Sequence, residues 1–169
     1  MLHNAINDLH DQIDLVFDLF HTQDAGRLPA TFIDSGVSRH LRHMHDHERA
    51  ILASLSNGVV DYNKRHRNDP GERDFQISFD TSQYLRQTWL NADLSDRPVE
   101  VRSEISVTAH QTLVLKSTLW REIMYVIHHN IHHLAYIKLL LDHRGITLPD
   151  VIGQAPTTVS YNRMTVVHG

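Results

Sequence analysis

The chain has 169 residues, of which 41% are apolar, and this is enough to form one domain with a sizeable core. Its formal charge of -4 argues against nucleic acid or an anionic membrane as the main partner. The lack of cysteine excludes disulfides, Cys-based zinc sites and thiol nucleophiles, so metal ligands would have to be His, Asp, Glu or water. Histidine is unusually frequent, with 15 residues.

The N-terminal segment predicts a helix, and its composition differs from that expected of a signal peptide. Apolar residues recur at helical spacing over residues 2–22, and acidic residues stand where a signal peptide needs basic ones. No apolar run approaches the roughly 20 residues of a membrane-spanning helix. We therefore expect a soluble, cytoplasmic protein with no membrane partner. Residues 23–34 contain Gly26 and Pro29 and are predicted to be a loop.

The second predicted helix, at about residues 35–56, is rich in histidine. Asp34 or Ser35 would cap its start, and Asn57-Gly58 would end it. Its histidines are His40, His43, His45 and His47.

Two carboxylates in this second helix are candidates for a polar role. Glu48 falls on the apolar face, which is unfavourable for a carboxylate without a polar partner. Glu48 and Asp46 are therefore candidates to orient ligand imidazoles or to act as bases. The simpler interpretation, especially for Asp46, is a charge on the helix surface.

The middle of the chain predicts a connection, a short helix and a hairpin. Residues 59–74 are charged and contain Pro70-Gly71, so we expect a long connection. Residues 99–107 and 111–117 alternate in polarity and are predicted to pair as a β-hairpin. Between them and the connection, a third helix is predicted over about 80–92, capped by Asp80 or Thr81, with inward-facing Tyr84, Leu85, Thr88 and Trp89.

A long apolar helix over residues 117–144 is the strongest signal in the sequence. Ser117 would cap its start and Gly145 its end, and the tail 145–169 shows no helical period. Four helices with long connections predict an all-α fold, a four-helix bundle in a single domain over residues 1–169. The apolar face of the last helix is centred near Ile123, Leu134 and Leu141.

Four histidines stand in the middle of this last helix. His129 and His133 are spaced i, i+4 and lie towards the core side, so both imidazoles can reach one ion. His128 and His132 form a second i, i+4 pair on the outer side, which we interpret as solvated or at a subunit contact. The ordinary alternative for any single histidine is a hydrogen-bonded core residue.

The second helix offers a third ligand from a similar pair, His43 and His47. The helical wheel alone places His47 closer to the core than His43. Three neutral imidazoles with open coordination positions are typical of a site for Zn, Ni or a related divalent ion.

The segment HHNIHHLAYIKLLLDHRGITLP, followed by GQAPTT, resembles the last helix and tail of the DinB/YfiT-like superfamily of metal-binding four-helix bundles. There the last helix carries two ligand histidines four residues apart, so the resemblance implies His129 and His133. Leu-Ala-Tyr stands here where the family has Arg-Gly-Gln. The family's third histidine follows a pattern that Val37, Leu41 and Met44 match when His43 takes its place. The implied metal site is therefore His43, His129 and His133, with His47 as the alternate.

The resemblance also implies a function. Characterised members of the superfamily are thiol-dependent transferases and isomerases that use mycothiol or bacillithiol. By this analogy the chain is a divalent-metal-dependent enzyme that binds Zn or Ni, acts on a small-molecule substrate and uses a low-molecular-weight thiol. The ion would lower the pKa of the thiol and deliver a thiolate.

Two other functions are consistent with the sequence. The first is a hemerythrin-like dioxygen or metal sensor, suggested by the run HDHE, although the first helix offers only His10 and Asp14 as further ligands. The second is a non-catalytic structural module whose histidines respond to pH. The basic run at residues 64–67 is interpreted as a solvated loop, not a nucleic-acid patch, and the apolar faces of the first and last helices leave a homodimer open.

Overall fold

The computed structural model describes residues 1–22 and 28–167. These residues form six α-helices, three strands and one short 3-10 turn at Pro70–Glu72. The helices are α1 Leu2–Thr22, α2 Leu28–Asp34, α3 Val37–Asn57, α4 Phe75–Leu90, α5 Leu119–Asp142 and α6 Pro156–Val167, and the strands are β1 Val59–Asp61, β2 Pro98–Glu104 and β3 Thr112–Thr118.

The core is a helical bundle built from α1, α3, α4 and α5. Helix α3 packs against both α4 and α5, and α1 also packs against both. Each helix turns its apolar stripe inward because burial of that stripe is the main favourable term in folding. The predicted mainly helical fold with a hairpin is confirmed. The fully buried large side chains of the four helices include Ile13, Phe17, Leu41, Met44, Leu85, Ile123 and Leu134.

A small sheet covers one side of the bundle. The predicted hairpin is confirmed, because β2 and β3 pair antiparallel with Val101 opposite Leu115. Strand β1, which the sequence analysis placed in a connection, pairs parallel with β2 through Val60 and Val101. The sequence did not reveal β1 because its three residues are too few to show an alternation of apolar and polar side chains. Of these three residues, only Val60 is buried.

Two predicted element boundaries near the N-terminus are wrong. Part of the predicted loop 23–34 is helix α2, whose Phe32 is fully buried, while residues 23–27 lie outside the described part of the chain. Helix α3 begins after Gly36, not after a cap at Asp34 or Ser35. Gly36 has a φ of 85°, a left-handed conformation that favours glycine.

Helix α4 begins five residues before its predicted start. Its cap is Asp74, whose side chain accepts from the Ile77 N–H at 3.0 Å, and not Asp80 or Thr81. Tyr84 was predicted to face inward but is 69% exposed. The earlier start lets Phe75 and Phe79 pack edge-on against Phe17 of α1, an attraction that depends on tertiary structure. Leu85 and Trp89 are buried as predicted.

The ends of the last core helix and the tail also differ in detail. The cap of α5 is Thr118, one residue after the predicted Ser117. The tail 145–169 was predicted to be irregular, but α6 occupies Pro156–Val167; residues 168–169 are outside the described range. Before α6 the tail packs on α5. There Gly153 approaches so closely that a Cβ on it would lie 2.3 Å from Ala135 Cα.

No helix in the described parts of the chain combines the length and the apolar character needed to cross a lipid bilayer.

One buried carboxylate connects all four core helices. Glu48 of α3, 1% exposed, accepts hydrogen bonds from His10 Nε2 at 3.0 Å, Trp89 Nε1 at 2.8 Å and Asn130 Nδ2 at 3.1 Å. These donors belong to α1, α4 and α5. Glu48 was expected to need a polar partner, and it has three. A carboxylate in such a site is tolerated because its partners replace the lost water.

We predict that Glu48→Ala lowers the free energy of unfolding by about 3–5 kcal/mol, because the variant leaves three buried donors without their acceptor. Urea denaturation followed by circular dichroism measures this change. Glu100→Ala is the matched control. Its carboxylate pairs with Arg102 at the surface, and its loss should cost about 1 kcal/mol or less. Equal losses in the two variants would contradict the central role of Glu48.

The stabilisation by Glu48 should depend on pH. Burial alone raises the pKa of this carboxyl, but the His10 imidazole, the His45 imidazole and the hydrogen bond from Trp89 together hold it below the ordinary value of 4.5. A lowered folded pKa contributes stability that is complete above pH 4.5 and is lost as the pH falls through the folded value. The wild-type chain should therefore exceed Glu48→Gln in unfolding free energy at neutral pH and lose this advantage as the pH falls below 4.5 and through the lowered folded pKa. A difference that stays constant on acidification would disprove the assignment.

Candidate metal centre

Five histidines meet where α3 packs against α5. Residues three, four or seven positions apart lie on one face of a helix, and both sets obey this spacing. Helix α3 contributes His40, His43 and His47, and α5 contributes His129 and His133.

The structure brings the three predicted ligands together. One ring nitrogen from each of His43, His129 and His133 lies within 4.8 Å of the other two. The Nε2 atoms of His43 and His129 are 3.1 Å apart. Two nitrogens bound to one tetrahedral zinc ion lie about 3.3 Å apart, given Zn–N distances of about 2.05 Å. The donor set therefore fits a divalent ion.

His47, the alternate ligand, lies beside this group. Its ring centroid is 4.1 Å from that of His129 and 4.7 Å from that of His43. The three histidines whose nitrogens have metal-ligand spacing nevertheless include His43 and not His47. On its other side, His47 packs against Tyr62, with ring centroids 5.0 Å apart.

His40 is a member of the cluster that the sequence analysis did not assign. Its Nδ1 lies 2.8 Å from Nδ1 of His133, within hydrogen-bond distance. A histidine that binds a metal through one nitrogen commonly hydrogen-bonds through the other, which fixes its tautomer and ring orientation. His40 therefore occupies the place of a positioning residue for His133. In the sequence, the feature that could have identified His40 as part of the cluster is its i, i+3 spacing to His43.

The histidines of the cluster are held neutral. Burial first, and the neighbouring imidazoles second, lower the pKa of His43, His129 and His133 to about 4. The same two causes lower the pKa of His47 to about 2. Neutral imidazoles keep the lone pairs that a metal ion needs, so no proton has to be displaced at neutral pH.

The cluster opens into a polar cavity of about 310 Å³. This volume is at the small end of the range for sites that take small molecules. The β2 end of the sheet, the segment after β1 and the cluster itself form the walls, which are lined by His43, His47, Tyr62, Asn63, Arg65, Arg67, Ser103, Glu104, Tyr125 and His129.

The histidine pair on the outer side of α5 and the two carboxylates of α3 lie outside the histidine cluster. His128 and His132 are exposed, as expected for solvated side chains. Asp46 is buried, and it accepts from Arg42 at 2.6 Å and from His66 Nδ1 at 2.8 Å. Since Glu48 bonds to the core donors, the hydrogen bonds of both carboxylates go to partners outside the cluster. The interpretation of Asp46 as a surface charge is wrong because the segment after β1 covers it.

A hemerythrin-like site needs carboxylates among its ligands. Within residues 1–22 and 28–167, the group of three side chains with metal-ligand spacing consists of histidines alone. His10, which that alternative required, donates to Glu48 and is fully buried in the core.

Comparison with known proteins places these features in a family. A protein named FK506-binding protein 5 from Rhizopus delemar is 30% identical over 118 residues, which are 68% of this chain but 31% of that protein. The chain thus spans about a third of the relative's length. No solved structure matches. The DinB family matches residues 22–161, a range that contains α3, α5 and the whole histidine cluster. This chain therefore belongs to the DinB family.

Proposed function

We propose that the protein is a divalent-metal-dependent enzyme whose ion, Zn or Ni, is held by His43, His129 and His133. The observation that supports this most strongly is the meeting of these three neutral imidazoles from two helices. Two of the three, His43 and His129, also line a polar cavity. Three histidine ligands leave at least one coordination position open, as in catalytic sites and unlike closed structural ones.

The proposed reaction is transfer or isomerisation that depends on a low-molecular-weight thiol. A divalent ion in this site would supply the Lewis acidity that makes an external thiol reactive near neutral pH. The chain has no cysteine, so the nucleophilic sulfur would have to come from outside. The protein's own part is to position the ligands, through His40 beside His133, and to shape the cavity.

Several residues of the cavity are held in place by hydrogen bonds. The Tyr62 hydroxyl donates to Glu122 Oε2 at 2.8 Å, so this tyrosine presents its ring to the cavity and not its hydroxyl. Burial, with the Glu122 carboxylate, raises the pKa of Tyr62 far above its ordinary value, so it stays protonated. The Asn63 amide donates to Thr112 at 3.3 Å and its oxygen accepts from the Glu104 N–H. These bonds connect the cavity wall to β2 and to the start of β3.

We predict that protein purified without an affinity tag contains about one zinc or nickel ion per chain and that His133→Ala reduces this to background, because two imidazoles hold the ion far more weakly than three. Inductively coupled plasma mass spectrometry gives the metal content. His132→Ala is the matched control, since it removes the neighbouring exposed histidine of the same helix. Full metal content in His133→Ala, or equal loss in both variants, would show that the site is misplaced.

The same measurement separates the two candidates in α3. His43→Ala should lose the metal, whereas His47→Ala should keep it at reduced affinity, because the His47 ring packs beside the ligand group. If His47→Ala loses the metal and His43→Ala keeps it, the ligand from α3 is His47.

The thiol requirement has its own test. Metal-loaded wild-type protein should accelerate conjugation of bacillithiol or mycothiol to an electrophilic substrate, and His133→Ala should not. Loss of free thiol, measured against the uncatalysed rate, gives the result. If the fully metal-loaded protein accelerates the reaction with neither thiol, the proposed thiol chemistry is wrong, whereas the proposed metal site is unaffected.

A further inference from the structure

Two arginines stand beside the histidine cluster on the segment that joins β1 to the 3-10 turn. Side chains of this segment alternate between two cavities. Lys64 and His66 line a separate cavity of about 390 Å³ on the far side of the segment. Arg65 and Arg67 line the cavity that contains the histidines. The backbone of this segment makes successive turns, in which the Arg67 N–H donates to the Arg65 carbonyl oxygen at 2.9 Å and the Asp69 N–H donates to the His66 carbonyl oxygen at 3.1 Å.

The segment is held on α3 by ion pairs. His66 donates from its backbone N–H and its Nδ1 to Asp46 Oδ1, at 3.3 and 2.8 Å. Arg49 of α3 donates to Asp69 at 2.9 Å, and Asp69 also accepts from the Gly71 N–H at 2.9 Å. With His66 tied to α3, the residues on either side of it are directed towards the histidine cavity.

The guanidinium groups of Arg65 and Arg67 have no carboxylate partner among the described residues. The neighbouring Arg49 and Arg102 do have partners, which are Asp69 and Glu100. Both arginines are exposed, so their guanidinium groups are accessible to a ligand.

The remaining charge of the cavity does not neutralise the two arginines. Glu104 is the one carboxylate among the residues that line it, so the two arginines exceed it by one positive charge. A bound divalent ion would make the cavity more positive still.

We propose that this cavity binds a small molecule with a carboxylate or phosphate group, which Arg65 and Arg67 hold while its other end reaches the histidine cluster. The planar guanidinium fork matches both anions with two parallel hydrogen bonds. The faces of Tyr62 and Tyr125, whose ring centroids are 5.5 Å apart, form the apolar part of the wall. Only the reaction at the far end rests on the proposed function; anion binding does not need the metal.

Isothermal titration calorimetry with succinate and with inorganic phosphate tests the proposal, on metal-free and on zinc-loaded protein. At least one probe should bind in both forms, and Arg65→Gln and Arg67→Gln should each weaken it by roughly tenfold, as expected for a lost charge-assisted hydrogen bond. Lys64→Gln removes the same charge from the adjacent residue and should change the affinity less than about twofold, because Lys64 faces the other cavity. Succinamide, which is neutral, should bind at least about tenfold more weakly than succinate.

Failure of this inference can be told apart from failure of the metal site. Stoichiometric zinc without saturable binding of either anion, or with binding that is equal in Arg65→Gln, Arg67→Gln and Lys64→Gln, would overturn the anion site alone. Arginine-dependent binding to a protein that takes up no zinc would support the anion site and reject the metal centre. Thermal denaturation of each variant confirms that the exposed substitutions leave the fold intact.

Discussion

The buried carboxylate of Glu48 is the interaction on which the rest of the structure depends. Removing a charge from water is costly, and here three donors from three different helices offset that cost. Because each donor must reach the same two oxygens, the bonds fix the rotation of α3 and its height relative to α1, α4 and α5. A sliding or turning of α3 would leave buried polar groups unpaired.

This constraint also places the histidine cluster. Asn130 bonds to Glu48 in the core, and His129 is its neighbour in sequence, turned by about 100° towards the cavity. On α3, His43 lies five residues before Glu48, about 140° around the helix, and its imidazole contacts that of His129 on α5. The contact between the His43 and His129 nitrogens is therefore set by the same register that joins Glu48 and Asn130. A core hydrogen-bond network thus positions the histidine cluster without taking part in it.

The cavity combines two kinds of chemistry, electron-pair donors at the histidine cluster and positive charge at the rim formed by Arg65 and Arg67. At the floor, half-buried imidazoles are kept neutral and available as ligands. At the rim, Arg65 and Arg67 are exposed and have no carboxylate partner among the described residues. Asp46 connects the two ends: it is buried beneath the rim segment and bonds to His66 between the two arginines. An acidic residue of the ligand helix thus organises the segment that would meet the substrate.

The sequence by itself determined those features that follow from local spacing. The long helices α1, α3 and α5, the hairpin and the i, i+4 pair His129 and His133 all have a period that one segment shows on its own. The choice between His43 and His47 did not follow from the wheel, which favoured His47, because the rotation of α3 depends on Glu48 and its partners. Only the family resemblance pointed to His43.

Only the tertiary structure decided the features that need two distant segments. Strand β1 forms because Val60 pairs with Val101 of β2. Helix α4 begins earlier than predicted because Phe75 and Phe79 pack against Phe17 of α1. The contact of His40 with His133 joins residues 93 positions apart. The direction of the Arg65 and Arg67 side chains depends on the hydrogen bonds between His66 and Asp46. In each case the deciding energy comes from a contact across the chain, which a local pattern does not contain.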